Sequence, residues 1–259
     1  MRIANWLQRL VSSISTRHGN RTHSRRPAAN WQRFDVSTVT ERLEDRALLS
    51  TFYVDDTFAN PVVGQDPDGA GPALDFGTDS FATIQGAVTA SSSGDTVSVA
   101  AGTYNEFVTI DKSLNLLGAQ AGVDARSVRV AADASESTID GSGLGGVVRV
   151  FGDGITAKID GFTIQADASI SVFNNGFGAA ITTVQSANLT GLQIVNNIIQ
   201  NSSIGITPQG DGALIQYNLI RNINIAGPAA GTGIYTDFGL SNSTIDSNQS
   251  YCQMLWTRL

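Results

Sequence analysis

Hydrophobic positions along this chain alternate with polar ones in short runs, and Gly, Asn or Asp punctuates the runs. Thr96 to Ala100, Phe107 to Ile110, Leu114 to Leu117, Val147 to Phe151 and Ile155 to Ile164 are short and rich in Val, Ile and Leu. Branched side chains pack well on a pleated surface, so the pattern predicts short strands separated by tight turns. One stretch departs from it. Between Ser80 and Ala90, residues Phe81, Ile84, Ala87 and Val88 fall on one face at helical spacing, with Asp79 or Ser80 available as N-cap. A single helix is therefore expected. Phe52-Tyr53-Val54 reads as a strand, followed as far as Thr78 by a surface loop rich in Gly, Pro and Asp.

The strand pattern repeats. Ile194-Val195-Asn196-Asn197-Ile198-Ile199-Gln200-Asn201 returns as Ile215-Gln216-Tyr217-Asn218-Leu219-Ile220-Arg221-Asn222, and Ile245-Asp246-Ser247-Asn248 begins a third copy. An earlier echo, Ile159-Asp160-Gly161-Phe162-Thr163-Ile164, has an open register, and Gly-Ile pairs recur at 205–206 and 233–234. Repeats of about 20 to 30 residues built from strands and turns suit a solenoid, because one coil cannot bury its inward face alone. The pattern predicts that Ile194, Ile215 and Ile245 stack inward as an aliphatic column. Asn197, Asn218 and Asn248 are expected to stack at a bend, their amides satisfying turn backbone groups.

Composition supports an ordered body: 41% of the 259 residues are hydrophobic, and only 7% are aromatic. Packing must therefore rely on small and branched side chains. Charge is split unevenly. Residues 1–50 hold nine Arg against four acids, whereas residues 51–259 hold seven Lys or Arg against nineteen acids, or about −12. Such a body repels phosphate backbones and anionic lipid, so nucleic acid is not an expected partner. Cys252 stands alone, which excludes a disulfide framework or a cysteine metal site. No apolar run is long enough for a membrane span or a standard secretory signal.

The leader, residues 1–50, is basic and lacks hydrophobic periodicity, so it is expected to be mostly disordered. It closes with Arg42-Leu43-Glu44-Asp45-Arg46-Ala47-Leu48-Leu49-Ser50. This segment resembles the LEPR-XLL motif near the start of large exported planctomycete-type proteins, with Asp45 where that motif has Pro. The resemblance implies export to the cell surface or beyond. Gly94 to Gly118, containing Asp95-Thr96-Val97-Ser98-Val99 and Gly102-Thr103-Tyr104-Asn105-Glu106-Phe107, resembles the opening coils of pectin-lyase-like domains. That resemblance covers residues 51–250. It implies an all-β fold, a right-handed parallel β-helix with a short N-terminal helix capping the coil stack, and a polysaccharide as the partner class. The family includes lyases, esterases, hydrolases and noncatalytic adhesins, so fold alone does not select a reaction.

Catalytic candidates are few. Both histidines, His18 and His23, lie in the leader, which leaves the body without imidazole for a triad, general acid–base work or zinc. Asp140, Asp153, Asp160, Asp211, Asp237 and Asp246 occur singly and read as turn residues. A lyase needs only calcium-holding acids and one cation acting as base, for which Lys112, Arg126, Arg129, Arg149, Lys158 and Arg221 are available. None sits in a recognisable lyase motif. Asp66 and Asp68, in Asp66-Pro67-Asp68-Gly69, resemble a fragment of a calcium loop, without the terminal Glu of an EF-hand; a plain turn is the competing reading. Glycine-rich Gly141 to Gly146 carries no Lys and reads as a bend between coils.

The last nine residues, Tyr251 to Leu259, contain Cys, Met and Trp, none of which occurs in residues 51–250. This change of character, falling where the third repeat copy stops, predicts a truncated or shifted reading frame near Ser250. The sequence thus leads to two expectations: an exported, noncatalytic or incomplete surface module that contacts polysaccharide, or a calcium-assisted polysaccharide lyase.

Overall fold

The computed structural model describes residues 49–58, 62–142, 148–165, 178–183, 188–223, 231–236 and 239–251. All described residues belong to one compact unit, Ala47–Leu259. The leader motif up to Leu48, Asp237, and the tail from Cys252 lie outside the described residues.

The described chain is almost entirely parallel β-sheet with one short helix. Strands from successive segments join three sheets in rotation. The first sheet includes Thr51–Val54, Thr96–Val99, Leu114–Leu117, Ala157–Asp160, Gln193–Val195, Leu214–Gln216 and Thr244–Asp246. The second holds Gly102–Tyr104, Ser137–Asp140, Phe162–Gln165, Ile198–Gln200, Leu219–Arg221 and Gln249–Tyr251. The third holds Val108–Ile110, Val148–Val150, Ala179–Thr182, Ile204–Thr207 and Thr232–Ile234. From Thr96 to Ile234 each turn of the chain adds one rung to each of these three sheets, with Gly210–Asp211 and Leu240–Ser241 forming a fourth, two-stranded sheet, giving an all-β, solenoid-like body.

Parallel pairing in register places like residues above one another, about 4.8 Å apart. The first sheet stacks Phe52, Val97, Leu116, Ile159, Ile194, Ile215 and Ile245. All are buried except Ile245, which is 44% exposed in the last described rung. The second stacks Tyr104, Ile139, Ile164, Ile199 and Ile220, and the third Val108, Val148, Ile181, Ile206 and Ile234. These columns meet as one core. The apolar positions that mark each strand in the sequence are the ones that stack.

The helix differs from the sequence expectation at its start. It spans Ile84–Ala90, capped by the Thr83 side chain accepting from the Gly86 N–H. Ser80–Phe81 is instead a strand beside Thr51–Val54, and Phe81 packs on Phe52 with ring centroids 6.1 Å apart. Pairing with an exposed strand edge outcompetes one more helical turn in a segment this short. The helix lies on the edge of the third sheet. Gln85 acts there as a missing strand would, its Oε1 accepting from the Thr109 N–H at 2.7 Å. Residues flanking Val108–Ile110 close both helix ends. The Glu106 carboxylate accepts from the Ile84 and Gln85 N–H groups, both at 2.8 Å. The Lys112 ammonium donates to the carbonyls of Val88 and Ser91, both at 3.0 Å. Negative charge at the start and positive charge at the end both suit the helix dipole.

The bend between the first and second sheets turns through a left-handed residue: Gly161 (φ +84°), Asn196 (+56°), Tyr217 (+59°) and Ser247 (+53°). This resolves the open register of the early echo. Gly161 occupies the place of Asn196, and Gly161 divides what the sequence presented as one long strand, Ile155 to Ile164. Only glycine fits there, because a Cβ would lie 2.1 Å from the Ala121 nitrogen. The recurring Gly-Ile pairs also face one another. A Cβ on Gly205 would lie 2.4 Å from the Gly233 carbonyl oxygen and 2.9 Å from Ile220 Cγ2.

Candidate functional site

Three polar arrangements stand on this scaffold. The first is a row on the margin of the second sheet, formed by the last residue of four successive strands. Gln165 Nε2 donates to Asp140 Oδ2 at 2.8 Å, Gln200 Nε2 to Gln165 Oε1 at 2.9 Å, and Arg221 Nε to Gln200 Oε1 at 3.0 Å. A carboxylate thus ends the row on one side and a guanidinium on the other, with the amides oriented in one direction between them. Burial pushes the Asp140 carboxyl up, but donors from Ser142 and Gln165 outweigh it and hold the group below its ordinary value of 3.8. Asp140, Gln165 and Arg221 are half-buried and Gln200 is buried, so the row offers a ligand only the donor and acceptor capacity that its internal bonds leave.

The second lies under the connection from Gly118 to Glu136, a strap running from the first sheet to the second. Arg129 and Glu136 form a buried ion pair, with side chains 3% and 1% exposed and Nη2 2.6 Å from Oε2. Arg129 also donates to the carbonyls of Phe162 and Asn196, and Thr163 Oγ1 donates to Glu136 Oε2 at 3.0 Å. Asn196 links this pair to a second one. Its Nδ2 donates to Asp160 Oδ1 at 2.9 Å, and Asp160 Oδ2 meets the Lys158 ammonium at 2.9 Å. Asp160 also accepts from the Gly122 N–H of the strap at 3.0 Å. The strap is therefore pinned across consecutive rungs by charge-assisted bonds, of which the Arg129–Glu136 pair is shielded from water while Lys158 stays partly exposed.

The third is the asparagine column. Asn218 Oδ1 accepts from the Asn197 N–H at 2.9 Å, and Asn218 Nδ2 donates to the Ile194 carbonyl at 2.8 Å. Asn248 repeats the arrangement one rung on, and Asn197 Oδ1 accepts from the Phe162 N–H at 3.0 Å one rung back. Asn197 and Asn218 are fully buried. Their role is to satisfy bend backbone that strand pairing leaves without partners.

The calcium candidates close turns. Asp66 Oδ1 accepts from the N–H groups of Asp68 and Gly69, and Asp68 accepts from Gly71 and Ala73. Among the described residues no three His, Cys, Asp or Glu side chains come together as metal ligands would. The candidate bases all have work in the fold: beside Lys112, Arg129, Lys158 and Arg221 already placed, Arg149 lies 4.5 Å from the Phe151 ring centroid. Arg126 binds Asp124 through both Nε and Nη2, and that bond raises its proton affinity, away from what a base requires. Asp211 accepts from Ser241 and Asn242, which hold its carboxyl below 3.8. Asp160 is 3% exposed and ion-paired, so it is more than the turn residue its sequence suggested.

Glu136, Asn196, Thr163, Gln165 and Gln200 carry these arrangements, and Tyr217 stands exposed at a bend beside them under Arg126; sequence reasoning did not single them out as site residues. For Tyr217 a signal exists, since it replaces a small polar residue at a repeated bend position. For Glu136 there is none, because its partner Arg129 lies on a connection with no repeat.

The sequence matches no protein-family model, no curated protein and no solved structure. Among the described residues no helix is long and apolar enough to cross a membrane.

Proposed function

We propose that this chain is an exported, right-handed parallel β-helix of the pectin-lyase-like kind that works as a noncatalytic surface or matrix module and holds polysaccharide along its flank. The rotation of strands through three parallel sheets supports the coil reading. The row Asp140–Gln165–Gln200–Arg221 carries the binding reading. Amide, carboxylate and guanidinium groups, held rigid by the sheet and repeated at a fixed spacing, suit an extended polymer of hydroxyl groups. Rigid presentation lowers the ordering cost of binding. The LEPR-XLL resemblance supports export.

Retention of the protein in gels or pull-downs containing polysaccharide tests the proposal. Retention by at least one polymer, weakened by Gln200→Leu with the circular dichroism spectrum unchanged, is the expected result. Failure across neutral and anionic polymers refutes it. Calcium-dependent release of unsaturated uronates would replace it with the lyase reading.

A further inference from the structure

We propose that Tyr217 is a stacking platform for a neutral pyranose ring, a site that rests on the polysaccharide reading and narrows it. The bend it occupies is left-handed in successive rungs, and its neighbours in that column are Gly161, Asn196 and Ser247. Left-handed backbone disfavours a bulky aromatic residue, and such outliers gather where a side chain must be displayed. Tyr217 is displayed: it is 39% exposed and fills no part of the core.

The strap covers one face of the ring, with the Arg126 guanidinium lying over it. The Ala125 N–H donates to the Tyr217 carbonyl at 3.2 Å, and the Arg126 guanidinium sits 5.2 Å from the ring centroid. Asp124 holds that guanidinium through both carboxylate oxygens, at 3.0 and 2.7 Å. The cation over that face is thereby matched by an anion, and the stacking surface is the opposite face of the ring. Such a surface takes the C–H face of a sugar ring.

Charge selects the class of sugar. With seven basic residues against nineteen acidic ones in residues 51–259, the body repels polyuronates. Neutral chains meet no such barrier. Tyr217 lies in the bend just before the strand Leu219–Arg221 of the second sheet and Arg221 ends that strand, so their Cα atoms are at most about 13 Å apart. An extended neutral chain can therefore touch both the platform and the polar row.

The test uses the full chain and its Tyr217→Asn variant, since Asn196 already holds the same position one rung earlier. Affinity electrophoresis against galactomannan, β-glucan and polygalacturonate, paired with thermal melting, gives the two readouts. The expected result is binding of a neutral polymer, a loss of at least tenfold in affinity on Tyr217→Asn, and an unchanged or raised Tm. Equal binding by the variant, a lowered Tm, or preference of the parent for polygalacturonate overturns the platform while leaving polysaccharide binding in place. A parent that binds none of the polymers overturns the polysaccharide reading itself, and the platform with it.

Discussion

Asn218 offers the sharpest check on the bend chemistry. Its side chain accepts from the N–H and Nδ2 of Asn197, at 2.9 and 3.2 Å, and donates to the Ile194 carbonyl and to Asn248 Oδ1, at 2.8 and 2.9 Å. Asn218→Ala leaves the Asn197 N–H without a partner in an interior that water does not reach, and it cuts the amide column in two. Asn197 Nδ2 keeps the Ile159 carbonyl and Asn248 Oδ1 keeps the Asn218 N–H, so the losses that count are the orphaned Asn197 N–H, about 1–3 kcal/mol, and the bond to the Ile194 carbonyl, about 1 kcal/mol, giving about 3 kcal/mol. That is a large share of a typical domain stability of about 5–15 kcal/mol. Asn248→Ala is the control. It removes a similar set of bonds at a partly buried position, where water can replace them, and about 1 kcal/mol is expected. Urea denaturation followed by circular dichroism measures both, the larger loss corresponding to a midpoint shift of about 1–2 M. Hydrogen exchange at the Asn197 amide gives a local reading that does not depend on two-state unfolding. If the two variants lose the same stability, or the Asn197 amide stays protected in Asn218→Ala, the column is not what holds the bend.

Three further outcomes are expected. Arg129→Met strands the Glu136 carboxylate in the interior and should cost about 3–5 kcal/mol, whereas Arg129→Met with Glu136→Met should recover most of it; a double variant as weak as the single one would refute the ion-pair account. Gly205→Ala forces a Cβ within 2.4 Å of the Gly233 carbonyl oxygen, so thermal melting should show about 1–3 kcal/mol of destabilisation, and a neutral result would show that the rungs can part there. Asp140 is held below its ordinary 3.8, so its contribution is fully present above that pH and disappears as pH falls through the lower folded value. Ser142→Ala removes one of the donors responsible; it should raise the Asp140 titration midpoint measured by carboxyl NMR and start acid unfolding at a higher pH, and an unmoved midpoint would contradict the assignment.

What the sequence by itself determined is what depends on local pattern. Short Val- and Ile-rich runs, broken by Gly, Asn and Asp, were enough to read an all-β solenoid with one helix, because in-register stacking asks each rung for the same residues at the same places. The repeat Ile194 to Asn201 and Ile215 to Asn222 carries that demand openly. Tertiary structure decided everything that required knowing which rungs meet. Ser80–Phe81 became a strand because the edge of Thr51–Val54 lay beside it. Gly161 took the place of Asn196 because the strap crosses directly above it. Glu136 and Arg129, seven residues apart on a connection without periodicity, found each other under that strap, and Gln165, Gln200 and Arg221 became one row only once their strands were laid in register. Periodicity tells a side chain which way to face; only the folded chain tells it what it will face.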